Sequence, residues 1–555
     1  MGADSQEDHR YPFAGQANPK VKLGVIAINA PLEVKWLDLS VDGKDMYLAR
    51  VDWLMNGCIC AQLQNREQSE LLLVIYDIDN GKRTTLVHEK SSVWINLHNL
   101  FFSFITPSSP LESHLPTSQE MMELESSSAN VYYFIWGSES SGFMHLYLYE
   151  LDMKTKFAKL LRPLTAGPWM VTSLVGVDIP RGLVYFHANK VSPLEQHLYV
   201  VDIQKPDAEN PIQLTEESGH HTAVMDGECK FAVDIFSSTS APPLAVVGTV
   251  SHSLTREKRV EFNKTCEFYD HNSNKSVQKQ FDLLSLRPPE IFSFPSTTGD
   301  QTTLYGMVYT PDSKIHGPPP YPLIVSVYGG PHLQNVVNQW DRTTNDMRAQ
   351  RFADKGFVVL KVDNRGSSGR GIRFEGAIKH CMGSVEVEDQ VDGIKTLGLR
   401  GLVDASRVGI YGWSYGGYMS LMCLCKRPDV FHVAIAGAPV TSWDGYDTHY
   451  TERYMGTPKS NPGGYRNSSV LSHVHCLEGK LLLVHGLIDE NVHFSHTARL
   501  INQLIAARKY YDLLLFPDER HAPRKIQDRI YIEHRILDYF ETNLKGHATK
   551  KSKTT

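Results

Sequence analysis

The residues Gly412-Trp413-Ser414-Tyr415-Gly416 read G-x-S-x-G and stand between an apolar run, RVGIY, and a helix-compatible stretch, GGYMSLMCLCK. A serine hydroxyl is a weak nucleophile until a neighbouring base takes its proton. Two flanking glycines let the backbone turn sharply from strand into helix and present the hydroxyl at the carboxyl end of a sheet. Such an elbow needs an orienting acid and a base, in the chain order Ser, Asp, His. After KLLLVHG comes Leu487-Ile488-Asp489-Glu490-Asn491, and after YDLLLFP comes Asp518-Glu519-Arg520-His521. Both fall just past the carboxyl ends of strand-like runs, where sites on open α/β sheets assemble. Ser414 is therefore the expected nucleophile, Asp489 the acid that holds the imidazole tautomer, and His521 the base. His493 and His496 are rival bases; they fall in the helix after Asp489 and would project from its flank. Glu490 is a rival acid, one residue further from the strand end. Acyl transfer also needs donors for a developing oxyanion. The backbone N–H of Tyr415 is one candidate, and the phenol of Tyr328, which ends the strand before Gly329-Gly330-Pro331, is a second. The alternative for Tyr328 is plain packing.

These residues need a scaffold. The chain has 555 residues, enough for two to four domains, with 41% hydrophobic and 21% charged residues. Its net charge of −6 argues against a general nucleic-acid partner. No apolar run approaches the ~20 residues of a membrane span, so no membrane association is expected. Eight cysteines are too few for a disulfide scaffold; buried reduced thiols, rather than a metal site, are the expected reading, and no cofactor is implied. The first residues lack a signal-peptide core, and Gln6 stands where myristoylation requires Ser or Thr. Sequons at Asn263, Asn274 and Asn467 are read as incidental. A reducing, cytoplasmic setting follows.

The pattern changes near residue 285. Before it, one unit recurs: a strand ends in an acidic residue, a polar turn follows, and a second strand returns. It appears around Asp77, Asp152, Asp202 and Asp270. Four strands in ~50 residues is the size of a propeller blade, so residues 1–285 are expected to form about four blades, a partial β-propeller; an irregular β-sandwich is the alternative. A polar excursion interrupts the second unit at Thr106–Asn130. A Pro-rich junction, LRPPEIFSFPST, leads to residues 286–545, where bare Val/Ile/Leu runs alternate with helices. That is a mostly parallel sheet covered on both faces, an α/β hydrolase domain. Its last helix, Ile526–Leu544, carries Ile530, Leu537, Phe540 and Leu544 as one apolar stripe. A polar basic tail occupies 546–555.

The runs VYGGP, DNRGSSGRG, GWSYGGYMS, YTERYMG, HGLIDENVHF and ERH, in this order, resemble the prolyl oligopeptidase clan, and within it the dipeptidyl peptidase family. The likeness is strongest to the cytosolic branch of dipeptidyl peptidases 8 and 9 and extends over Asp8 to Leu544. ANPKVKLGV, VWINLHN and LEQHLYVVD resemble its propeller. The resemblance implies a Ser-Asp-His peptidase in which Tyr328 assists the oxyanion and Asn491 binds a substrate carbonyl. Val440, Trp443, Tyr446, Tyr450 and Val492 match the pocket that takes proline; a rigid apolar ring suits aromatic walls, though core packing is the competing reading for these rings. It further implies peptide substrates with proline or alanine second from the N-terminus, and a homodimer through the hydrolase domain. The family's paired glutamates, which hold the substrate's amino terminus, have no counterpart here: Glu216-Glu217 reads as a solvated turn. The chain is thus expected to be an N-terminally shortened form. Two alternatives accompany the peptidase reading: a catalytically weak isoform acting by binding or dimerisation, and an esterase on the same fold.

Overall fold

Short runs of β-branched and aromatic residues separated by polar turns form hairpins, and in the first half of the chain they do so repeatedly. The computed structural model describes residues 10–28, 33–44, 46–54, 57–107, 130–252, 260–267, 279–280 and 282–545. Four four-stranded antiparallel sheets follow one another. The first spans Tyr47–Trp53 to Arg83–Lys90, the second Phe101–Pro107 to Phe157–Pro163, the third Val171–Asp178 to Ile212–Gln213 and the fourth His220–Met225 to Val260–Glu267. A two-stranded ribbon, Leu23–Ile26 with Val34–Leu37, precedes them. Neighbouring blades share apolar cores in sequence: Leu73 with Phe134, Ile135 with Phe186, and Tyr185 with Val250. Among the described residues, four sheets of blade size thus stand in this half.

The recurring acidic residue has a physical role in three of them. Asp152 and Asp202 end, and Asp77 immediately follows, the third strand of a blade, and each accepts a hydrogen bond from the backbone two residues on, at 2.8, 2.7 and 2.9 Å respectively. This Asx turn starts the hairpin into the outer strand. The fourth unit does not fit. Its CEFYD run enters Val260–Glu267, already the outer strand of its blade, and Asp270 lies outside the described residues. Most of the Thr106–Asn130 excursion and the whole of the 546–555 tail also lie outside them.

The second half forms an eight-stranded sheet. Its order is Glu290–Pro295, Thr303–Tyr309, Val358–Asp363, Tyr321–Ser326, Val403–Trp413, Val433–Gly437, Lys480–Gly486 and Asp512–Phe516. The first two strands run antiparallel to their neighbours; the other six are mutually parallel. The run expected as a Pro-rich junction thus contains the edge strand Glu290–Pro295, with its proline at the strand end, where a missing N–H costs least. Helices cover both faces, over one core containing Leu323, Ile410 and Leu424 and another containing Ile324, Ile435 and Phe540. The last helix buries Ile532, Ile536, Leu537, Phe540 and Leu544; Ile530, expected in that stripe, lies on the same face as Leu537 but near the helix start, where it is 54% exposed. Of the eight cysteines, expected to be buried, Cys266, Cys381 and Cys476 are exposed.

The two halves are tied by polar contacts. Asn189 donates to Gly369 O (2.8 Å), Asn338 to Glu195 Oε1 (2.9 Å) and Gln68 to His449 O (2.6 Å). Asn96 donates to Glu139 Oε1 (3.2 Å) on the second blade and to Glu375 Oε2 (2.8 Å) on the hydrolase side.

Candidate active site

The strand Val403–Trp413 ends at Trp413 and the helix Tyr415–Lys426 begins two residues later, so Ser414 must make the whole reversal. It does so at φ 60°, ψ −116°, in a region costly for a residue with a Cβ. The close packing around it explains the glycines. A Cβ on Gly416 would lie 2.3 Å from Val327 O, and one on Gly412 2.2 Å from Gly416 O. The backbone of Ser414 is pinned on both sides: its N–H donates to Gly437 O (2.9 Å) and its carbonyl accepts from Tyr418 (3.0 Å).

Asp489 sits in the turn after Lys480–Gly486 and is 5% exposed. One carboxylate oxygen accepts the backbone N–H groups of Asn491 (2.9 Å) and Val492 (3.0 Å). The other meets Nδ1 of His521 at 2.8 Å. Burial opposes ionisation of Asp489, but the imidazoles of His485 and His521 outweigh it and bring its pKa down to about 2. A carboxylate so placed fixes the His521 proton on Nδ1 and leaves Nε2 free to accept. The loop carrying His521 lies against the strand carrying the acid: a Cβ on Gly486 would fall 2.2 Å from Glu519 O. Trp413, the residue before the serine, donates its indole N–H to His521 O at 2.7 Å, which anchors the histidine beside the elbow. No hydrogen bond joins His521 Nε2 to Ser414 Oγ in this structure; bonds of this kind commonly tighten only around substrate.

The rivals are occupied elsewhere. His496 is buried, accepts from Thr441 N (3.1 Å) and contacts Gly445 O (2.9 Å). His493 precedes the helix Ser495–Ala506 rather than lying within it, and packs at a tilt against Tyr11 with ring centroids 4.4 Å apart. Glu490 pairs with Arg520 at 3.1 Å.

Tyr415 opens its helix, and its own phenol turns inward to Glu386 (2.9 Å), away from any oxyanion. Tyr328 packs against it with ring centroids 5.8 Å apart; burial raises the Tyr328 pKa, so its phenol stays a neutral donor. Trp443 stands beside Tyr415 (5.6 Å), Tyr446 (6.1 Å) and Tyr450 (6.1 Å), and Tyr446 meets Tyr450 edge-on at 5.4 Å. The hydroxyl of Tyr450 is buried without a hydrogen-bond partner. Val440 and Val492 are 2% and 0% exposed and belong with Trp443 to one apolar cluster. Asn491 accepts the Tyr446 hydroxyl at 2.6 Å. Of the pocket residues expected from the sequence, Trp443, Tyr446 and Tyr450 form one aromatic box with Asn491 bonded to its edge, while Val440 and Val492 are buried in the core that the box adjoins. Glu216 and Glu217 are exposed in a turn on the propeller, with Glu217 paired to Lys264.

Three participants were not anticipated. Tyr11 donates to Asn491 O (2.9 Å), and its flanking residues strap the pocket helix, with Thr448 N donating to Pro12 O (2.9 Å) and Ala14 N to Tyr446 O (3.0 Å). Arg453 joins Gln68 of the first blade (2.5 Å) to His332 (3.0 Å) on the loop after Tyr328. His485 lies directly behind Asp489.

Comparison with known proteins matches residues 343–547 to the prolyl oligopeptidase family and residues 2–243 to the dipeptidyl peptidase IV N-terminal region. Dipeptidyl peptidase 8 of Homo sapiens is 36% identical over 597 residues, covering 97% of this chain and 63% of that protein; its Mus musculus counterpart gives the same figures. A probable dipeptidyl-aminopeptidase B of Coccidioides posadasii is 29% identical, covering 98% of this chain and 56% of that protein. The chain therefore spans somewhat over half the length of these relatives. Among the described residues no helix is long and apolar enough to cross a membrane.

Proposed function

Since the chain belongs to the prolyl oligopeptidase family, we propose that it is a serine peptidase that cleaves after proline or alanine placed second in a peptide. The observation that carries this reading is the Asp489 carboxylate held at 2.8 Å from His521 Nδ1, beside a strained serine elbow whose next residue, Tyr415, packs 5.6 Å from Trp443 of the aromatic box. In the proposed reaction His521 Nε2 takes the Ser414 proton as Oγ adds to the scissile carbonyl. Asp489 stabilises the imidazolium, and the N–H of Tyr415 with the phenol of Tyr328 receives the oxyanion. His521 then protonates the leaving amine, and water cleaves the acyl-serine by the same route. The box takes the proline ring, and Asn491 holds a substrate carbonyl.

A homodimer is part of the proposal. Ile505, Tyr510, Leu513, Ile526, Ile530 and Tyr531 are exposed on the last two helices and on or beside the edge strand Asp512–Phe516, an apolar surface of the kind that copies of a chain cover in each other. A cytoplasmic location follows from the likeness to the cytosolic branch. The test is hydrolysis of a Gly-Pro-arylamide beside a simple aryl ester. A preference for the arylamide supports the peptidase; turnover of the ester alone rejects it in favour of an esterase.

A further inference from the structure

Asp489 meets a second imidazole. His485 is the penultimate residue of the strand Lys480–Gly486, four residues before the acid, and is wholly buried. Its Nε2 lies 2.8 Å from Val492 O and 3.3 Å from Asp489 Oδ2, the oxygen that faces His521. Its Nδ1 lies 2.7 Å from the hydroxyl of Thr497, also buried, on the helix Ser495–Ala506. A carbonyl can only accept, so Nε2 carries a proton and the ring has a defined orientation. That N–H is aimed at Val492 O and passes beside Oδ2. The ring of Phe494 closes the other side at 5.6 Å. One side chain therefore joins the triad acid, the valine that walls the pocket, and the next helix.

We propose that His485 is a positioning residue: its Nε2–H clamps the Asp489–Val492 turn, setting both the aim of the carboxylate at His521 and the depth of the apolar pocket. It touches no substrate. Asp489 Oδ1 accepts the backbone N–H groups of Asn491 and Val492 within the same turn; Tyr11 and Tyr446 hold the turn at Asn491 and His521 meets Oδ2, whereas the His485 imidazole reaches both the acid and Val492 at the turn's far end. Loss of that clamp lets the turn relax, and small displacements of a catalytic group are costly, up to about 10²-fold for 1 Å.

This inference rests on the peptidase reading, but one of its readouts does not. The Nδ1 proton of His521, hydrogen-bonded to Asp489, gives a far-downfield proton resonance identified by its loss in His521→Gln. His485→Phe is expected to broaden or shift it upfield and to lower kcat on Gly-Pro-arylamide by about 10–100-fold. His485→Gln, whose amide N–H reaches the same carbonyl, is expected to restore the resonance and to bring kcat within about threefold of the parent. A folded His485→Phe with parent-like resonance and kcat overturns the proposal, as does failure of the Gln variant to restore either. Should the Phe variant not fold, Thr497→Val, which frees the ring's other nitrogen, must shift the resonance; an unchanged spectrum overturns the proposal. A parent chain that gives the resonance but no peptide turnover counts against the peptidase reading alone.

Discussion

Replacing Asp489 by Asn tests the acid with almost no change of shape. Its consequence follows from which oxygen is irreplaceable. Oδ1 accepts two backbone N–H groups, at 2.9 and 3.0 Å, that cannot turn away. The amide oxygen must therefore take that position, and the NH2 group must take the position of Oδ2, 2.8 Å from His521 Nδ1 and 3.3 Å from His485 Nε2. An NH2 group donates and cannot accept. His521 is then forced to accept at Nδ1 and to carry its proton on Nε2, the nitrogen that must take the Ser414 proton. A base locked in the wrong tautomer costs about 10³–10⁴ in kcat in triad enzymes. KM should stay within about threefold, because Asp489 does not touch substrate. The new NH2 also opposes the N–H of His485, a clash of buried donors costing on the order of 1–3 kcal/mol of stability. The assay is steady-state hydrolysis of Gly-Pro-arylamide, with folding checked by thermal denaturation. Glu490→Gln, at the rival acid, should keep kcat within about threefold. A folded Asp489→Asn chain within tenfold of the parent, or a large loss in Glu490→Gln, refutes the assignment of the acid.

Tyr328→Phe should lower kcat by about 10²–10³ with little change in KM if the phenol donates only as charge develops; a rise in KM alone would move Tyr328 into ground-state binding. Around the pocket, Glu452 pairs with Arg66 and Glu490 with Arg520, and Asp447 spends one oxygen capping its helix at Tyr450 N, so no unpaired pair of carboxylates stands among these three for a substrate ammonium. Free and N-acetylated Gly-Pro-arylamide should then differ by less than about tenfold in kcat/KM, since a dedicated charged hydrogen bond is worth about 1.5–3 kcal/mol; a hundredfold preference for the free amine would contradict this. Burial raises Glu139 to about 7, and burial together with the Glu139 charge raises Glu375 to about 8. Both bind protons more tightly folded than unfolded, so their contribution is full below the unfolded value near 4.5 and is lost as pH rises toward 8. Tm should fall across that window, and less steeply in Glu375→Gln; parallel curves would contradict the assignment. Trp36, Trp53, Val224 and Phe231 are exposed on the ribbon and on the first and fourth blades, so replacing Trp53 and Phe231 by Ser should reduce association in light scattering.

The elbow and its two partners were legible because each is a local event: a strand end, a turn and one polar residue. The parallel strands were legible as unbroken apolar runs, and the blades through the Asx turns at Asp77, Asp152 and Asp202. The fourth unit misled because CEFYD resembles those strands in composition, while its described residues, Cys266 and Glu267, pair with Val247 and Val246 in the outer strand of the blade. Ile530 misled because a spacing of seven is compatible with one helix face but does not say where that face ends. Tyr11 carried no local signal: it acts on a residue 480 positions away. His485 was hidden inside an apolar run that reads as core strand, and only its contacts with Asp489, Val492 and Thr497 mark it as more than packing. The Glu139–Asn96–Glu375 group was hidden in the same way, since its members come from three separate segments.

The central claim is that Ser414 forms the acyl-enzyme, with Asp489 and His521 behind it. The most direct measurement is to treat the 555-residue chain with a fluorophosphonate and map the adduct by peptide mass. A single adduct on Ser414, formed in step with loss of Gly-Pro-arylamide hydrolysis and slowed strongly in His521→Gln, is the result expected. An inhibited chain with its adduct on another residue, or undiminished labelling of Ser414 in His521→Gln, would contradict it.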